Sequence, residues 1–202
     1  MRRFAAALLA AGAATAAFAG GPIYTYDPAN RIPYSWKLGG WPDGHVPVYT
    51  DLGSLGPLNN ERATKMVSFA AREWSSVKTS SFRAALGGDF FYALGLDDTD
   101  AGNVTSVLGE FNGGGIDVIY DSDGSILESF FGLPAQYVLG ITNIEYVGVD
   151  SPEIVEAWIV LSGPGIHPID RNGIGFQGVV THEIGHALNL AHSQANGAVW
   201  NP

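Results

Sequence analysis

Apolar positions in residues 59–81 recur with a helical period. Ala63, Val67, Ala70, Trp74 and Val77 fall at i, i+4, i+7, i+11 and i+14, which places them on one stripe of a helix. Asn59 or Asn60 can cap its start, Glu61 falls in its first turn, and Lys78 to Ser81 ends it. A second helix is predicted from about Phe176 to Leu188, with Val180, Ile184, Ala187 and Leu188 facing a core. Between the two, from about 82 to 162, the pattern changes to strand and loop. Ile116 to Tyr120, Tyr137 to Tyr146 and Ile154 to Leu161 are β-branched or aromatic runs bounded by Gly, Asp or Pro. Ahead of the first helix, Ile32 to Trp36 and Val46 to Tyr49 read as short strands set off by the turns Gly39-Gly40 and Pro42-Asp43-Gly44. Gly163-Pro164-Gly165 and Arg171-Asn172-Gly173 mark a loop before the second helix. There is no internal repeat, and one α+β domain accounts for the order of elements.

Composition narrows the function. The chain has 202 residues, 46% of them hydrophobic and 15% charged, enough apolar material for one packed core. A formal net charge of -10 argues against nucleic acid or an anionic membrane as the main partner, because both select basic faces. With no cysteine, the chain has no disulfide, no thiol nucleophile and no thiolate metal site. Arg2 and Arg3 precede an Ala/Leu-rich run from Phe4 to Phe18, and Ala17-Phe18-Ala19 is a small-x-small sequence before Gly20. That is the layout of a signal peptide over residues 1–19. The run is too short to span a bilayer, which needs about 20 apolar residues. The expectation is a secreted or periplasmic protein that begins at Gly20, with no membrane contact after leader removal.

The stretch with the most chemistry is His182-Glu183-Ile184-Gly185-His186-Ala187-Leu188-Asn189-Leu190-Ala191-His192. On a helix turning about 100° per residue, His182 and His186 share a face about 6 Å apart along the axis. Two imidazoles so placed can converge on one Zn²⁺. Glu183, one residue on, lies beside such an ion and is suited to act as a base toward water. His192 is different. On an unbroken helix it lies about 240° around and about 9 Å beyond His186, out of reach of the same ion. The helix must therefore stop between them. Asn189 sits where the break is needed, and Asn is one of the few residues besides Gly that tolerates a left-handed backbone.

The segment His182-Glu183-x-x-His186-x-x-Asn189-x-x-His192-Ser193 resembles the metzincin zinc metallopeptidases, whose pattern is HExxHxxGxxH, and looks closest to the matrixin branch. Asn189 replaces the family Gly. Ala70 to Val77, with Trp74-Ser75 followed by Phe82, is similar to the end of the matrixin first helix leading into a strand. The resemblance covers about residues 32 to 202, strongly over the last 25. It implies a twisted mixed sheet with one antiparallel edge strand, a long first helix and an HExxH active-site helix. It also implies one catalytic Zn²⁺ on His182, His186 and His192, with Glu183 as general base in peptide hydrolysis. The substrate would be a peptide or protein pairing with the edge strand, for which Gly140 to Tyr146 is the candidate by chain order. Two departures stand out. No Met follows His192, and aligning Ala198-Val199-Trp200-Asn201-Pro202 with the matrixin Met-turn puts Trp200 at the Met position. The chain also ends where the family continues into a last helix, so residues 20–202 are expected to form a catalytic domain lacking its C-terminal subdomain.

Other readings stay open on the sequence alone. Asp121-Ser122-Asp123-Gly124-Ser125 alternates oxygen ligands around a Gly turn, as calcium loops do. It lacks a Glu at the twelfth position, so it reads first as an Asp-rich turn and second as a Ca²⁺ site on Asp121 and Asp123. Asp97, Asp98 and Asp100 read as a solvated loop, and His45 and His167 are too isolated for a second metal site. Asn103-Val104-Thr105 is a formal glycosylation sequon. A gluzincin would need a Glu downstream of Glu183, and there is none. The alternative from another class is a non-catalytic secreted zinc-binding domain that recognises a peptide or surface partner.

Overall fold

The computed structural model describes residues 21–41, 43–90, 94–109, 111, 113–148, 150–167, 170 and 173–192. The expected leader and the Met-turn alignment lie outside these residues. So do Ser193, Pro42, Arg171 and Asn172.

The architecture is a mixed sheet with helices packed against it. After a small hairpin of β1 (Thr25–Asp27) and β2 (Ile32–Pro33), the main sheet takes β3 (Ser35–Trp36), β4 (Val46–Thr50), β5 (Ala84–Asp89), β6 (Gly115–Asp121), β7 (Gly140–Val147) and β8 (Glu153–Ser162). Its path runs β3-β8-β6-β4-β5, all in parallel register, and β7 adds to β8 as the one antiparallel strand. Ile154 pairs with Val147 of β7 on one edge and with Trp36 of β3 on the other. β3 therefore continues, ahead of Gly115, the side of β8 that β6 takes from Glu156 onward. Among the described residues no strand pairs with the other edge of β7.

The apolar runs read from the sequence are the strands buried on both faces. Every residue of β6 is buried, as are Ile154 and all residues from Glu156 to Ser162 in β8, as expected of parallel strands covered above and below. Alternate residues feed two cores. Ile116, Val118, Tyr120, Ile159 and Leu161 join the core under the helices. Ile119, Trp158 and Val160 join a second core with Phe90, Val104, Ile126 and Leu127. That second core is covered by loops, a 3₁₀ turn at Val104–Ser106 and a π-type turn at Ile126–Phe130.

Helix α1 (Asn60–Ser75) starts at Asn59, whose side chain accepts the Arg62 N–H. Its buried face is Ala63, Met66, Val67, Ala70 and Ala71, so the stripe extends to Met66 and Ala71. It also stops sooner than its apolar spacing predicts. The helix closes at Ser76, and Val77 is 37% exposed beyond it. Helix α2 (Gln177–Ala187) packs against α1 and β7, burying Val179, Val180, Ile184 and Ala187. Two indole N–H groups fix its position. Trp74 donates to the Thr181 carbonyl at 2.7 Å and Trp36 to the Ala187 carbonyl at 2.8 Å. The strand predicted over Tyr137 to Tyr146 begins later than its aromatic run suggested, at Gly140. β5 had no alternating signature, because Leu86-Gly87-Gly88 holds its middle. Gly87 is required there, since a Cβ would stand 2.7 Å from the Pro47 ring of the neighbouring strand. No helix among the described residues is long and apolar enough to cross a membrane.

Candidate metal centre

The last turns of α2 carry His182, Glu183 and His186, and the chain then reverses at Asn189. Asn189 adopts φ +69°, the left-handed conformation its position requires. Leu188 N–H closes the helix onto the Ile184 and Gly185 carbonyls, and Leu190 N–H reaches the Gly185 carbonyl at 3.1 Å. This reversal returns His192 to the face of His182 and His186. The Nε2 atom of His192 lies 3.1 Å from that of His182 and 2.9 Å from that of His186. Nitrogens about 2.0–2.1 Å from a shared tetrahedral ion lie roughly 3.3 Å apart, so the spacing fits such an ion to within a few tenths of an ångström. Three imidazole nitrogens this close repel one another unless a proton or a cation lies between them. Among the described residues this is the only group of three or more metal-ligating side chains that converges.

The ring orientations favour a cation. Nδ1 of His186 lies 2.6 Å from the Leu190 carbonyl oxygen. A carbonyl only accepts, so Nδ1 carries the proton and Nε2 of the neutral ring presents its lone pair to the centre. Burial, reinforced by the neighbouring rings of His186 and His192, pushes the pKa of His182 down to about 4. At neutral pH that ring is in its ligating, unprotonated form.

Glu183 is only 5% exposed. Its Oε2 accepts the Thr142 hydroxyl of β7 at 2.6 Å. Burial raises its pKa above the ordinary carboxylate value, while the Thr142 hydrogen bond and the charge of His192 oppose that rise. Room for the side chain comes from Gly140, where a Cβ would stand 2.8 Å from Glu183 Cγ. Both residues lie in the Gly140 to Tyr146 strand expected to form the edge, but the pattern along the chain gave no sign that they touch Glu183, since that contact exists only once β7 lies against α2.

The other sequence candidates do not join this group. Both carboxylate oxygens of Asp121 accept backbone N–H groups, from Ile126 at 3.1 Å and Leu127 at 2.8 Å, and Asp123 accepts the Ser125 N–H. These bonds build the turn into Ile126–Phe130. His45 sits in an exposed turn with Nδ1 2.8 Å from the Asp43 carbonyl oxygen, and His167 is exposed. Comparison of the chain with protein-family models, curated proteins and solved structures gives no match.

Proposed function

We propose that the protein is an exported zinc metalloendopeptidase of the metzincin type, with Zn²⁺ held by His182, His186 and His192. One observation carries this reading. A helix bearing His182, Glu183 and His186 is broken by a left-handed Asn189, and the break brings the third imidazole within 3.1 Å of the other two. The all-nitrogen donor set and its spacing suit zinc. A purely structural zinc site has no use for a buried carboxylate one residue from a ligand, and Glu183 supplies one.

Zinc held by His182, His186 and His192 would supply Lewis acidity and make a water at the site easier to deprotonate. Glu183 accepts the proton of the attacking water on its carboxylate and returns it to the leaving amine. Thr142 holds the carboxylate by hydrogen bonding Oε2. The outer edge of β7 lies next to this carboxylate through Gly140 and Thr142, and an extended peptide adding to that edge places its backbone beside Glu183.

The test is a peptide-library assay of the zinc-loaded chain with and without chelator, run beside Glu183→Gln. Cleavage is expected in the wild type, absent with chelator and reduced at least about 10³-fold in the variant, while the variant keeps its zinc. Unchanged cleavage by Glu183→Gln rejects the mechanism. A zinc-loaded wild type that cuts nothing favours the non-catalytic binding domain.

A further inference from the structure

A strap formed by residues 21–24 is stitched to the turn that carries His192, and the proposed hydrolysis makes no use of it. Asn189, only 2% exposed, is the hub. Its Oδ1 accepts the Tyr24 N–H at 2.7 Å, and its Nδ2 donates to the Tyr24 carbonyl at 2.7 Å and the Tyr34 carbonyl at 3.0 Å. Its own carbonyl accepts the Ile23 N–H at 3.0 Å. Two residues on, Ala191 N–H donates to the Gly21 carbonyl at 2.9 Å, and Pro22 and Leu190 form an antiparallel bridge. A side-chain amide has two N–H donors and one oxygen acceptor, and here each meets main chain 155 or 165 residues away.

Left-handed geometry alone does not account for this residue. Glycine adopts φ +69° without strain, but it would leave the Tyr24 N–H and the Tyr24 and Tyr34 carbonyls without the amide. His192 is the ligand that depends on the turn. His182 and His186 are fixed by α2, whereas His192 lies beyond the helix and is exposed. The same turn supplies the Leu190 carbonyl that orients the His186 ring. The strap also reaches the edge strand, where the Tyr24 hydroxyl lies 3.0 Å from Asn143 Oδ1 and donates to it.

We infer that Asn189 and the strap of residues 21–24 are positioning elements for the third histidine, so that metal affinity is set in part from the N-terminal end of the chain. The inference rests on the three histidines being a metal site. Supporting groups behind metal ligands typically contribute about 10–100-fold in affinity.

The experiment measures Zn²⁺ affinity by chelator competition and the visible absorption of the Co²⁺-loaded protein. It compares full-length wild type, Asn189→Gly, Tyr24→Pro and His192→Ala, with apo-protein circular dichroism to establish that each variant is folded. Asn189→Gly keeps the left-handed backbone and removes only the amide. Tyr24→Pro removes the N–H that Asn189 Oδ1 accepts, together with the Tyr24 hydroxyl that donates to Asn143. Both are expected to bind Zn²⁺ about 10–100-fold more weakly and to shift the Co²⁺ spectrum toward that of His192→Ala. Wild-type affinity and spectrum in folded Asn189→Gly, with His192→Ala impaired, overturn the inference and leave the metal site standing. A wild type that takes up neither metal removes the site and the inference together.

Discussion

Gly185 shows how one residue of α2 is fixed by packing rather than chemistry. A Cβ at Gly185 would stand 2.8 Å from Trp74 Cζ2. The indole cannot easily retreat, because its N–H is committed to the Thr181 carbonyl of the same helix. Two effects oppose in Gly185→Ala. Alanine in mid-helix favours folding by about 0.5–1 kcal/mol, and overpacking a close contact costs about 1–3 kcal/mol. The steric term is larger, so the variant is expected to be less stable by about 1–2 kcal/mol in urea unfolding. A midpoint at or above that of wild type would show that Trp74 yields. The ligands obey the same physics with a different outcome. His182 and His186 could be paired from helical spacing alone, and the left-handed Asn189 followed from His192 being otherwise out of reach. Thr142 and Gly140 were placed in the candidate edge strand, but their contacts with Glu183 could not be read, because contact across 41 and 43 residues leaves no local period.

At the scale of elements, α2 begins without a side-chain cap at Phe176. Asp170, outside the helix, takes over. Its Oδ1 accepts the Ile174 N–H at 2.8 Å, and its Oδ2 accepts those of Gly175 at 2.8 Å and Phe176 at 3.2 Å. A carboxylate there ties down the turn that leads into the helix, including the N–H of the cap residue Phe176, on the side of the positive end of the helix dipole. Asp170→Ala is expected to cost about 1–2 kcal/mol, with Asp170→Asn losing less because one acceptor remains. Equal stability of wild type and Asp170→Ala would exclude the capping role. Asp170 was unreadable as a cap because it stands six residues before Phe176, outside the spacing of local capping boxes. Other elements were legible where their pattern was strong. The both-faces-buried strands β6 and β8 appeared as continuous apolar runs, and α1 appeared through its period. β5 was not, since Gly87 in its middle answers to the neighbouring Pro47 ring and not to any alternation of its own. The strap was missed for a related reason, because its partners are the side chain and main chain of residues 189–191; of the hairpin, Ile32–Pro33 lay within the predicted strand Ile32 to Trp36 and Thr25–Asp27 did not.

At the scale of the whole molecule, the two ends of the described chain meet at one turn. Residues 21–24 hold Asn189 and Ala191, and the ligand set joins that turn back to α2. A cation there would bridge a helix to a segment the helix does not itself fix, so metal binding and global stability are coupled. A ligand that binds only the folded state, present at 1,000 times its dissociation constant, stabilises by about 4 kcal/mol. For a domain of this size each kcal/mol moves Tm by about 2–4 °C. Zinc removal is therefore expected to lower Tm by roughly 10 °C, read by calorimetry with and without chelator. The gap should shrink sharply in His192→Ala, which lacks the ligand on the turn, and persist in Glu183→Gln, which keeps all three ligands. A chelator-induced drop of equal size in wild type and His192→Ala would place the metal elsewhere. A gap lost in Glu183→Gln would make that carboxylate a ligand and not the base.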